Sequence, residues 1–302
     1  MESLKKEIIK LKKEKQIAIL AHYYVPGEVQ DLADYVGDSY YLSKIGTEID
    51  AKTLCFCGVS FMGESGKILN PDKTIIVPDL NSDCPMAHMA SPEVIAQMRK
   101  THHDLAVVCY VNSTAELKAN SDVCVTSSNA EKVIKSLPNQ NIFFVPDQNL
   151  GDYIASRVSN KNFILNKGYC PVHHNMTAKN VLNAKKAHPS AELLVHPECK
   201  PEVVALSDYA GSTSGIIEYA TKSSKTEFII GTELGVIHQL KVNNPNKDFY
   251  PLDENLICPG MKLNTLEALK DCLLDPSSHT ITLDEKLRSE SLFSLKKMLE
   301  LS

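Results

Sequence analysis

The feature that most constrains this chain is a Cys-Pro dipeptide that recurs at a nearly constant interval. Proline follows cysteine at Cys84, Cys170 and Cys258, which are 86 and 88 residues apart. With 9 cysteines and 15 prolines in 302 residues, at most about one such pair is expected by chance. Self-similarity at a fixed period indicates a repeated architecture. The interval therefore predicts three similar structural units.

A second marker has the same period. Polar residues end three apolar segments, in the sequences AHYY (21–24), CYVN (109–112) and VHPE (195–198). The first residues of these sequences are 88 and 86 residues apart. Because the two markers are independent, their shared period strengthens the prediction of a threefold repeat.

Short β-rich runs alternate with helical patterns along the whole chain. Helices are predicted at the N-terminus and over 29–49 and 61–69. Strands are predicted over 17–20, 53–57, 74–77, 105–111, 123–126, 141–145, 162–165, 193–196 and 227–230. Such alternation predicts an α/β protein whose parallel sheets are covered by helices on both faces.

The predicted domains follow from the repeat. Residues 1–88, 89–173 and 174–260 each form one α/β/α unit, and a C-terminal helix over 261–302 packs on the first unit. A pseudo-threefold axis relates the units around a central active site. In parallel α/β sheets, ligands bind outside the carboxyl ends of the strands. If those ends face inward, one cavity collects the polar residues and the Cys-Pro thiols.

Composition excludes several classes of function. There are 32 Lys and Arg against 37 Asp and Glu, a formal charge of −5, and no basic block that would favour nucleic acid. The longest clean apolar run, 105–111, is far shorter than the roughly 20 residues of a membrane span. The Lys-rich start lacks a signal-peptide core. We therefore expect a cytosolic protein with no nucleic-acid or membrane partner.

The remaining cysteines are predicted to be structural. An odd number of cysteines cannot pair completely, and the absence of CxxC disfavours thioredoxin-like motifs and zinc ribbons. Free cysteines are among the most buried residues, so we place Cys109, Cys124 and Cys272 in the core. Cys55 and Cys57 share one face of a predicted strand and are expected in the core as well.

Three converging thiolates suit either a zinc ion or an iron–sulfur cluster. A zinc site would recruit a histidine, for which His88 and His173 are candidates. A [4Fe–4S] cluster held by three cysteines leaves one iron open, and an open iron is a Lewis acid for a hydroxyl or carboxylate. Proline after the ligand is also found in ferredoxin cluster motifs.

The predicted strand ends offer groups for proton transfer. Residues two apart on a strand share a face, which pairs His22 with Tyr24, Tyr110 with Asn112, and His196 with Glu198. Histidine, tyrosine and glutamate are common acid–base residues. Hydroxyl residues at Ser60, Ser127-Ser128 and Ser212-Thr213-Ser214 recur after the second predicted strand of each unit, less regularly at Ser60. We expect the latter two groups to cap helices or bind anions there.

Several segments together resemble the quinolinate synthase family of A-type proteins, in the family's order and over nearly the whole chain. The segments are AHYYVPGEVQDLADYVGDS, CYVN, VTSSNA, GYCPVHH, VHPEC, AGSTSGI and the lone Cys258 in LICPGMK. Some family members carry CxxCxxC at the last position, so no thiol–disulfide switch is expected here.

The resemblance implies a transferase of de novo NAD biosynthesis. Its substrates would be iminoaspartate and dihydroxyacetone phosphate, and its products quinolinate, phosphate and two waters. It also implies three α/β sandwich domains about a pseudo-threefold axis, one [4Fe–4S] cluster per chain, and coupling to the enzyme that supplies iminoaspartate.

The family's site residues map onto this sequence by motif. The implied cluster ligands are Cys84, Cys170 and Cys258, and the implied catalytic residues are Glu198, Tyr24, His22 and His196. The implied substrate-binding residues are His22, Ser39, Tyr110, Asn112, Ser127, His196, Glu198 and Thr213. Two alternatives stay open, namely another cluster-dependent hydro-lyase of a small hydroxy acid and a non-enzymatic iron–sulfur sensor or electron carrier.

Overall fold

The computed structural model describes residues 2–302 and contains three four-stranded sheets in which every neighbouring pair of strands is parallel. The strands are β1 (Ile17–His22), β2 (Tyr35–Gly37), β3 (Thr53–Cys57), β4 (Thr74–Ile76), β5 (Leu105–Tyr110), β6 (Val123–Val125), β7 (Asn141–Val145), β8 (Asn162–Leu165), β9 (Glu192–Val195), β10 (Tyr209–Ala210), β11 (Glu227–Gly231) and β12 (Asp248–Pro251).

Sixteen α-helices connect and cover the strands described in residues 2–302. They are α1 (Glu2–Glu14), α2 (Gly27–Gln30), α3 (Ser39–Glu48), α4 (Ser60–Leu69), α5 (Pro92–Thr101), α6 (Ala115–Ala119), α7 (Ala130–Ser136), α8 (Gln148–Arg157), α9 (Pro171–His174), α10 (Ala178–Ala187), α11 (Pro201–Val204), α12 (Thr213–Lys222), α13 (Val236–Asn243), α14 (Pro259–Lys262), α15 (Leu266–Leu274) and α16 (Glu285–Leu301), with 3₁₀ turns at Pro85–His88 and Pro276–His279. Across this described part, no helix combines the length and the apolar character needed to cross a membrane.

All three sheets have the same strand order. The orders are β2-β1-β3-β4, β6-β5-β7-β8 and β10-β9-β11-β12. In each sheet the first strand of the unit lies inside, between the second and the third, so the order reverses at its carboxyl end. Ligands of open α/β sheets bind at such a reversal. The predicted fold class of three similar α/β/α units is confirmed.

Both faces of the third sheet are buried, as the parallel arrangement requires. Leu193 and Ile229 belong to one apolar cluster, whereas their neighbours Leu194 and Ile230 belong to a second cluster on the opposite face. Alternate residues of a strand point to opposite faces. Helices must therefore cover both faces, which explains why these strands are continuous apolar runs.

The largest difference from the sequence prediction lies between residues 29 and 49. The single helix predicted there is wrong, because the chain forms α2, then the edge strand β2, then α3. The strands β10 and β12 were also missed. Strands at sheet edges are often short, and β2 and β10 have only three and two residues, too few for a clear hydrophobic period.

The C-terminal segment bridges two sheets. α15 packs against α1, while α16 packs against α4 on one side and against α6 and β6 on the other. The apolar residues of the first two sheets consequently form one continuous cluster. Each sheet lies inside one of the predicted unit ranges, but the division of the chain at residues 88, 173 and 260 stays a prediction.

A buried asparagine joins the first sheet to the segment that carries Cys258. Asn264 is fully buried; its Oδ1 accepts from Gly58 N at 3.0 Å, and its Nδ2 donates to Gly58 O at 3.0 Å and Met261 O at 3.1 Å. Ser82 Oγ lies 2.7 Å from both Gly58 O and Gly260 O and donates its one proton to either of them. These hydrogen bonds, called the Asn264 joint below, hold the loop of Cys84 to the loop of Cys258.

Replacing Asn264 with alanine should therefore destabilise the protein. The substitution leaves the buried Gly58 N–H without an acceptor, which costs about 1–3 kcal/mol. We expect that decrease in the free energy of urea unfolding. The matched control is Asn255→Ala, because Asn255 is exposed and bonds only within its own turn. Equal stability of Asn264→Ala and wild type would contradict the assigned joint.

Candidate functional site

One cavity at the carboxyl ends of the three sheets brings together every residue that the sequence placed in the site. Its wall includes His22, Tyr24, Ser39, Cys84, Tyr110, Asn112, Ser127, Cys170, His196, Glu198, Thr213 and Cys258. Residues more than 170 positions apart thus meet in space. Their individual roles stay predictions, since proximity alone does not show what each one does.

The three Cys-Pro dipeptides adopt the same local structure. Each cysteine is the N-cap of a one-turn helix with proline at its start, and the cysteine backbone is extended in all three cases. The φ and ψ angles are −114° and 109° at Cys84, −78° and 116° at Cys170, and −86° and 109° at Cys258. Proline fits this position because the first helical N–H has no partner within the helix.

The free N–H groups of these short helices point to the sulfur atoms, which favours the thiolate form. Burial opposes the effect of these N–H groups, because it disfavours the charged thiolate. Burial and the neighbouring Cys258 and Glu198 together raise the pKa of Cys84 to about 12. Burial likewise raises the pKa of Cys170 and of Cys258. The N–H donors are Met86 and Ala87 for Cys84, His173 for Cys170, and Gly260 and Met261 for Cys258.

This donor set fits a thiolate-bound metal group. Without a cation, thiols that raise one another's pKa stay protonated, and a bound metal would displace their protons. The Cys170 sulfur, the His173 Nδ1 and a Glu198 oxygen lie within 4.8 Å of one another. The residues present therefore suit a metal group that takes sulfur ligands beside nitrogen or oxygen ligands.

Two histidines at corresponding strand ends each accept the same kind of local hydrogen bond. Tyr24 N donates to His22 Nδ1 at 3.1 Å, and Glu198 N donates to His196 Nδ1 at 3.3 Å. Since Nδ1 is the acceptor, the ring proton lies on Nε2 in both cases. His196 Nε2 can then donate to Ser127 Oγ at 3.1 Å.

Both of these histidines are neutral at pH 7. Burial and the nearby His196 lower the pKa of His22 to about 3, although Glu198 opposes the change. Burial also lowers the pKa of His196 to about 4, again against the attraction of Glu198. Each ring therefore offers a hydrogen-bond donor without a charge.

Glu198 is a charged carboxylate at the centre of the site. It is 3% exposed, and its Oε2 lies 2.7 Å from His173 Nδ1. Burial raises its pKa, but His196, His173 and a hydrogen bond from Tyr110 outweigh burial and hold the pKa at about 2. Glu198 therefore stays ionised in the resting site.

The two cavity tyrosines are protonated. Burial and the charge of Glu198 raise the pKa of Tyr24 and of Tyr110 well above 10. The Tyr24 hydroxyl lies 2.8 Å from Thr213 Oγ1. A protonated phenol can both donate and accept a hydrogen bond, so each tyrosine can contact either kind of substrate group.

The positions of the hydroxyl residues correct the sequence prediction that Ser60 belongs to the repeat. Ser39, Ser127 and Thr213 follow the second strand of each sheet at intervals of 88 and 86 residues, so Ser39 rather than Ser60 continues the repeat. Ser60 begins α4 and donates to Asp83 at 2.7 Å. Because the strand β2 was missed, the true equivalent of Ser127 was not recognised as part of the repeat.

The expectation of helix capping holds for one of the two later clusters. Ser212 caps α12 and accepts from Gly215 N at 3.1 Å. Ser127 does not cap α7, whose N-cap is Asn129. The Ser127 hydroxyl instead faces His196, which places it on the cavity wall as a polar contact.

Of the two histidines that the sequence offered for a zinc site, one lies in the cavity, and a further cavity residue was missed. His173 lies in the cavity, whereas the other candidate, His88, is 57% exposed and bonds Asp83 outside it. Glu233 also lines the cavity, is fully buried, and accepts from Lys262 at 2.7 Å and from Cys258 N at 3.1 Å. The sequence contained a signal for Glu233, because Asp147 and Glu233 are acidic residues that follow equivalent strands and lie 86 residues apart.

Asn112 offers the cavity an unused polar atom. Its Oδ1 is buried and has no hydrogen-bond partner among residues 2–302. A buried acceptor without a partner is costly, so a donor group of a bound molecule would relieve it.

The fold and the cavity together define an α/β protein of three similar units whose central polar cavity can hold a thiol-ligated metal group.

Comparison with known proteins assigns the family. A family model described as quinolinate synthetase A protein matches residues 6–300. Quinolinate synthase of Fusobacterium nucleatum is 53% identical over 299 residues, 99% of each chain. Quinolinate synthase of Caldicellulosiruptor saccharolyticus is 47% identical over 302 residues, which are 100% of this chain and 99% of the relative. Quinolinate synthase of Clostridioides difficile is 48% identical over 296 residues, which are 97% of each chain. The chain belongs to the quinolinate synthetase A protein family, as its sequence motifs predicted.

Accessibility separates the Cys-Pro thiols from the other six. Cys84, Cys170 and Cys258 are partly exposed, whereas the remaining cysteines are buried. We therefore expect an alkylating reagent to modify these three before the other six in folded, metal-free protein kept under argon, slowly because their raised pKa leaves little thiolate, and to modify all nine after unfolding. Peptide mass spectrometry measures the sites. Comparable modification of Cys109 in the folded protein would contradict the described packing.

Proposed function

We propose that this chain condenses iminoaspartate with dihydroxyacetone phosphate to form quinolinate. Phosphate and two waters leave, so atoms balance and no oxidant or reductant is needed. The observation that carries the proposal is the convergence of three identically folded Cys-Pro thiols with the strand-end polar groups in one cavity. Membership of the quinolinate synthetase A family supports the same reaction.

We further propose that Cys84, Cys170 and Cys258 hold one [4Fe–4S] cluster. The parallel N–H contacts to all three sulfurs suit thiolate ligands. When bound, a cluster with three protein ligands supplies one iron that can act as a Lewis acid toward a substrate oxygen. Zinc is a less suitable occupant, because structural zinc sites usually use closely spaced ligand pairs.

The cavity would bind its anionic substrates mainly through neutral donors. Neither lysine nor arginine lines its wall within residues 2–302. His22 and His196 instead present Nε2–H groups, and Ser39 and Thr213 are the first residues of the ten-residue helices α3 and α12. Helix N-termini favour anions such as phosphate and carboxylate. We assign these groups to substrate binding, together with Asn112, Tyr110 and Ser127.

Glu198 and Tyr24 are the proposed acid–base residues. Condensation requires removal of a carbon-bound proton, and dehydration requires a proton for the departing hydroxide. A pKa of about 2 makes Glu198 a weak base in the resting site. Substrate binding must therefore weaken one of the hydrogen bonds to its carboxylate before it can accept a proton. His22 and His196 orient the substrate in this scheme.

The proposal also places the enzyme in the cytosol, with small-molecule substrates and coupling to the enzyme that forms iminoaspartate.

Anaerobic purification tests the cofactor, and we expect a brown protein with about four irons and four sulfides per chain. Quinolinate formation from the two substrates tests the reaction. A colourless zinc protein would overturn the cluster assignment. A cluster-loaded protein that makes no quinolinate would favour the hydro-lyase alternative.

Cysteine variants test the ligand assignment. Cys84→Ala, Cys170→Ala and Cys258→Ala should each lose the cluster and the activity. Cys109→Ala and Cys124→Ala are the controls, because both residues are buried in strands away from the cavity wall. Those controls should keep their iron and lose about 1 kcal/mol of stability. Full iron content in any of the first three variants would show that its cysteine is not a ligand.

Glu198→Gln isolates the proposed proton transfer. Glutamine keeps the shape of the side chain but cannot exchange a proton as a carboxylate does, so we expect a loss in kcat of roughly 10²-fold or more. Iron and sulfide content should stay at the wild-type level. Glu202→Gln is the control on the same segment, because Glu202 is exposed. A cluster-loaded Glu198→Gln enzyme with near wild-type kcat would remove Glu198 from the chemistry.

A further inference from the structure

Lys118 is a lysine in the interior of the protein, and the proposed reaction gives no reason for it. It lies on α6, is fully buried, and is not among the residues of the cavity wall. Its Nζ donates to Ser113 O at 2.7 Å and lies 5.5 Å from the centre of the Phe61 ring. Burial lowers the pKa of its ammonium group, against the attraction of Glu64. Because a buried charge is costly, the bond to Ser113 calls for an explanation.

The first unit contains the same hydrogen bond with a different donor. Lys118 and Gln30 occupy equivalent positions 88 residues apart, and so do Ser113 and Val25. Gln30 is also buried, and its Nε2 donates to Val25 O at 2.9 Å. In both units, therefore, a buried side chain five residues further along the chain donates to the same backbone carbonyl.

Each of these two carbonyls belongs to a residue that follows the cavity wall. Val25 follows Tyr24, and Ser113 follows Asn112, which is the equivalent of Tyr24 in the second unit. A hydrogen bond to a carbonyl holds the whole peptide group, because that group is planar. The two buried donors therefore restrict the backbone that carries the two cavity side chains.

The third unit holds the same loop with a donor from its neighbour. Glu198 is the residue equivalent to Asn112, 86 residues further on, and Val204 stands where the second unit has Lys118. A valine side chain cannot donate a hydrogen bond, and here the buried Asn149 of the second unit donates from Nδ2 to Glu198 O at 2.9 Å. All three strand-end loops thus have a buried side-chain donor beside the cavity residue.

Asn112 is the cavity residue that depends most on its own loop. The Tyr24 hydroxyl lies 2.8 Å from Thr213 Oγ1, and Glu198 Oε2 lies 2.7 Å from His173 Nδ1. By contrast, the buried Asn112 Oδ1 has no hydrogen-bond partner among residues 2–302. The direction of this oxygen therefore depends on the backbone that carries it.

We propose that Lys118 is a positioning residue that holds the loop of Asn112, so that Asn112 Oδ1 accepts from a donor group of the bound substrate. The role requires a hydrogen-bond donor and no charge, because the neutral Gln30 makes the equivalent bond in the first unit. The inference deepens the proposed function, since it rests on the assignment of Asn112 to substrate binding.

The side-chain amide of Asn112 reports its placement without any reaction. In the ¹⁵N–¹H spectrum of full-length metal-free protein, labelled on asparagine and assigned with Asn112→Ala, Lys118→Met should shift the Asn112 signal. Lys118→Gln introduces the residue of the first unit and should keep the signal in its wild-type position. Both variants remove the charge, so the difference between them isolates the hydrogen bond. An Asn112 signal that is the same in the two variants would overturn the proposal.

Kinetics of the cluster-loaded enzyme provide the second readout. Lys118→Met should raise KM for at least one substrate by about tenfold and change kcat by less than about threefold, because a binding contact is weakened. Lys118→Gln should return KM to within about twofold of wild type. The control is Lys161→Met in the same unit, because Lys161 Nζ donates to Leu137 O at 2.6 Å and Asn139 O at 2.7 Å away from the cavity wall. This control should keep the wild-type KM.

A double-mutant cycle separates the positioning of Asn112 from a general loss of packing. If Lys118 acts through Asn112, Lys118→Met should raise KM by less than about twofold when Asn112 is already replaced with alanine. A tenfold rise in both backgrounds would overturn the positioning role, as would a wild-type KM in Lys118→Met alone.

Should Lys118→Met fail to fold, Lys118→Leu removes the same donor and replaces it in each measurement. Failure of the proposed function is distinguishable, because wild-type protein would then make no quinolinate, while the spectrum of the metal-free protein still decides whether Lys118 holds Asn112.

Discussion

A carboxylate buried where several sheets meet must be matched by donors from those sheets, because an unpaired buried charge costs several kcal/mol or more. Glu198 is in that position. Its donors are Tyr110, which ends the first strand of the second sheet, and His173, which lies on the helix between the second and third sheets. These two bonds hold the second and third sheets together at the cavity, because the loss of either would leave the buried charge short of a donor.

Besides Glu198, the cavity wall contains the carboxyl groups of Asp38 and Glu233, and its histidine and tyrosine donors are uncharged. Burial keeps His22 and His196 neutral and keeps Tyr24 and Tyr110 protonated. Neutral donors with fixed directions can recognise anions without paying the desolvation cost of a buried ammonium or guanidinium group. They also leave the local charge of the site to be set by what binds to the three thiols.

Much of this arrangement could be predicted from the sequence, because the repeat, the long central strands and the polar strand ends leave local signals. The edge strand β2 could not, since three residues carry no measurable period. That omission hid the equivalence of Ser39 with Ser127 and Thr213. The buried Thr232, whose Oγ1 lies 2.7 Å from the Tyr24 hydroxyl and 2.9 Å from His173 Nε2, left no signal in the sequence. A threonine after a strand is chemically ordinary until its partners from other elements are known. Distant contacts of this kind exist only in the folded chain.

The distribution of the three thiols along the chain has a consequence for the order of events during synthesis. Cys258 lies 174 residues after Cys84, and the joint at Asn264 follows it. A ribosome-bound chain that has exposed only its first two sheets offers two of the three thiols, in a cavity without Glu198 or the joint that fixes the loops. A group that needs all three thiols can therefore bind only after the third unit has been made and has docked on the first two.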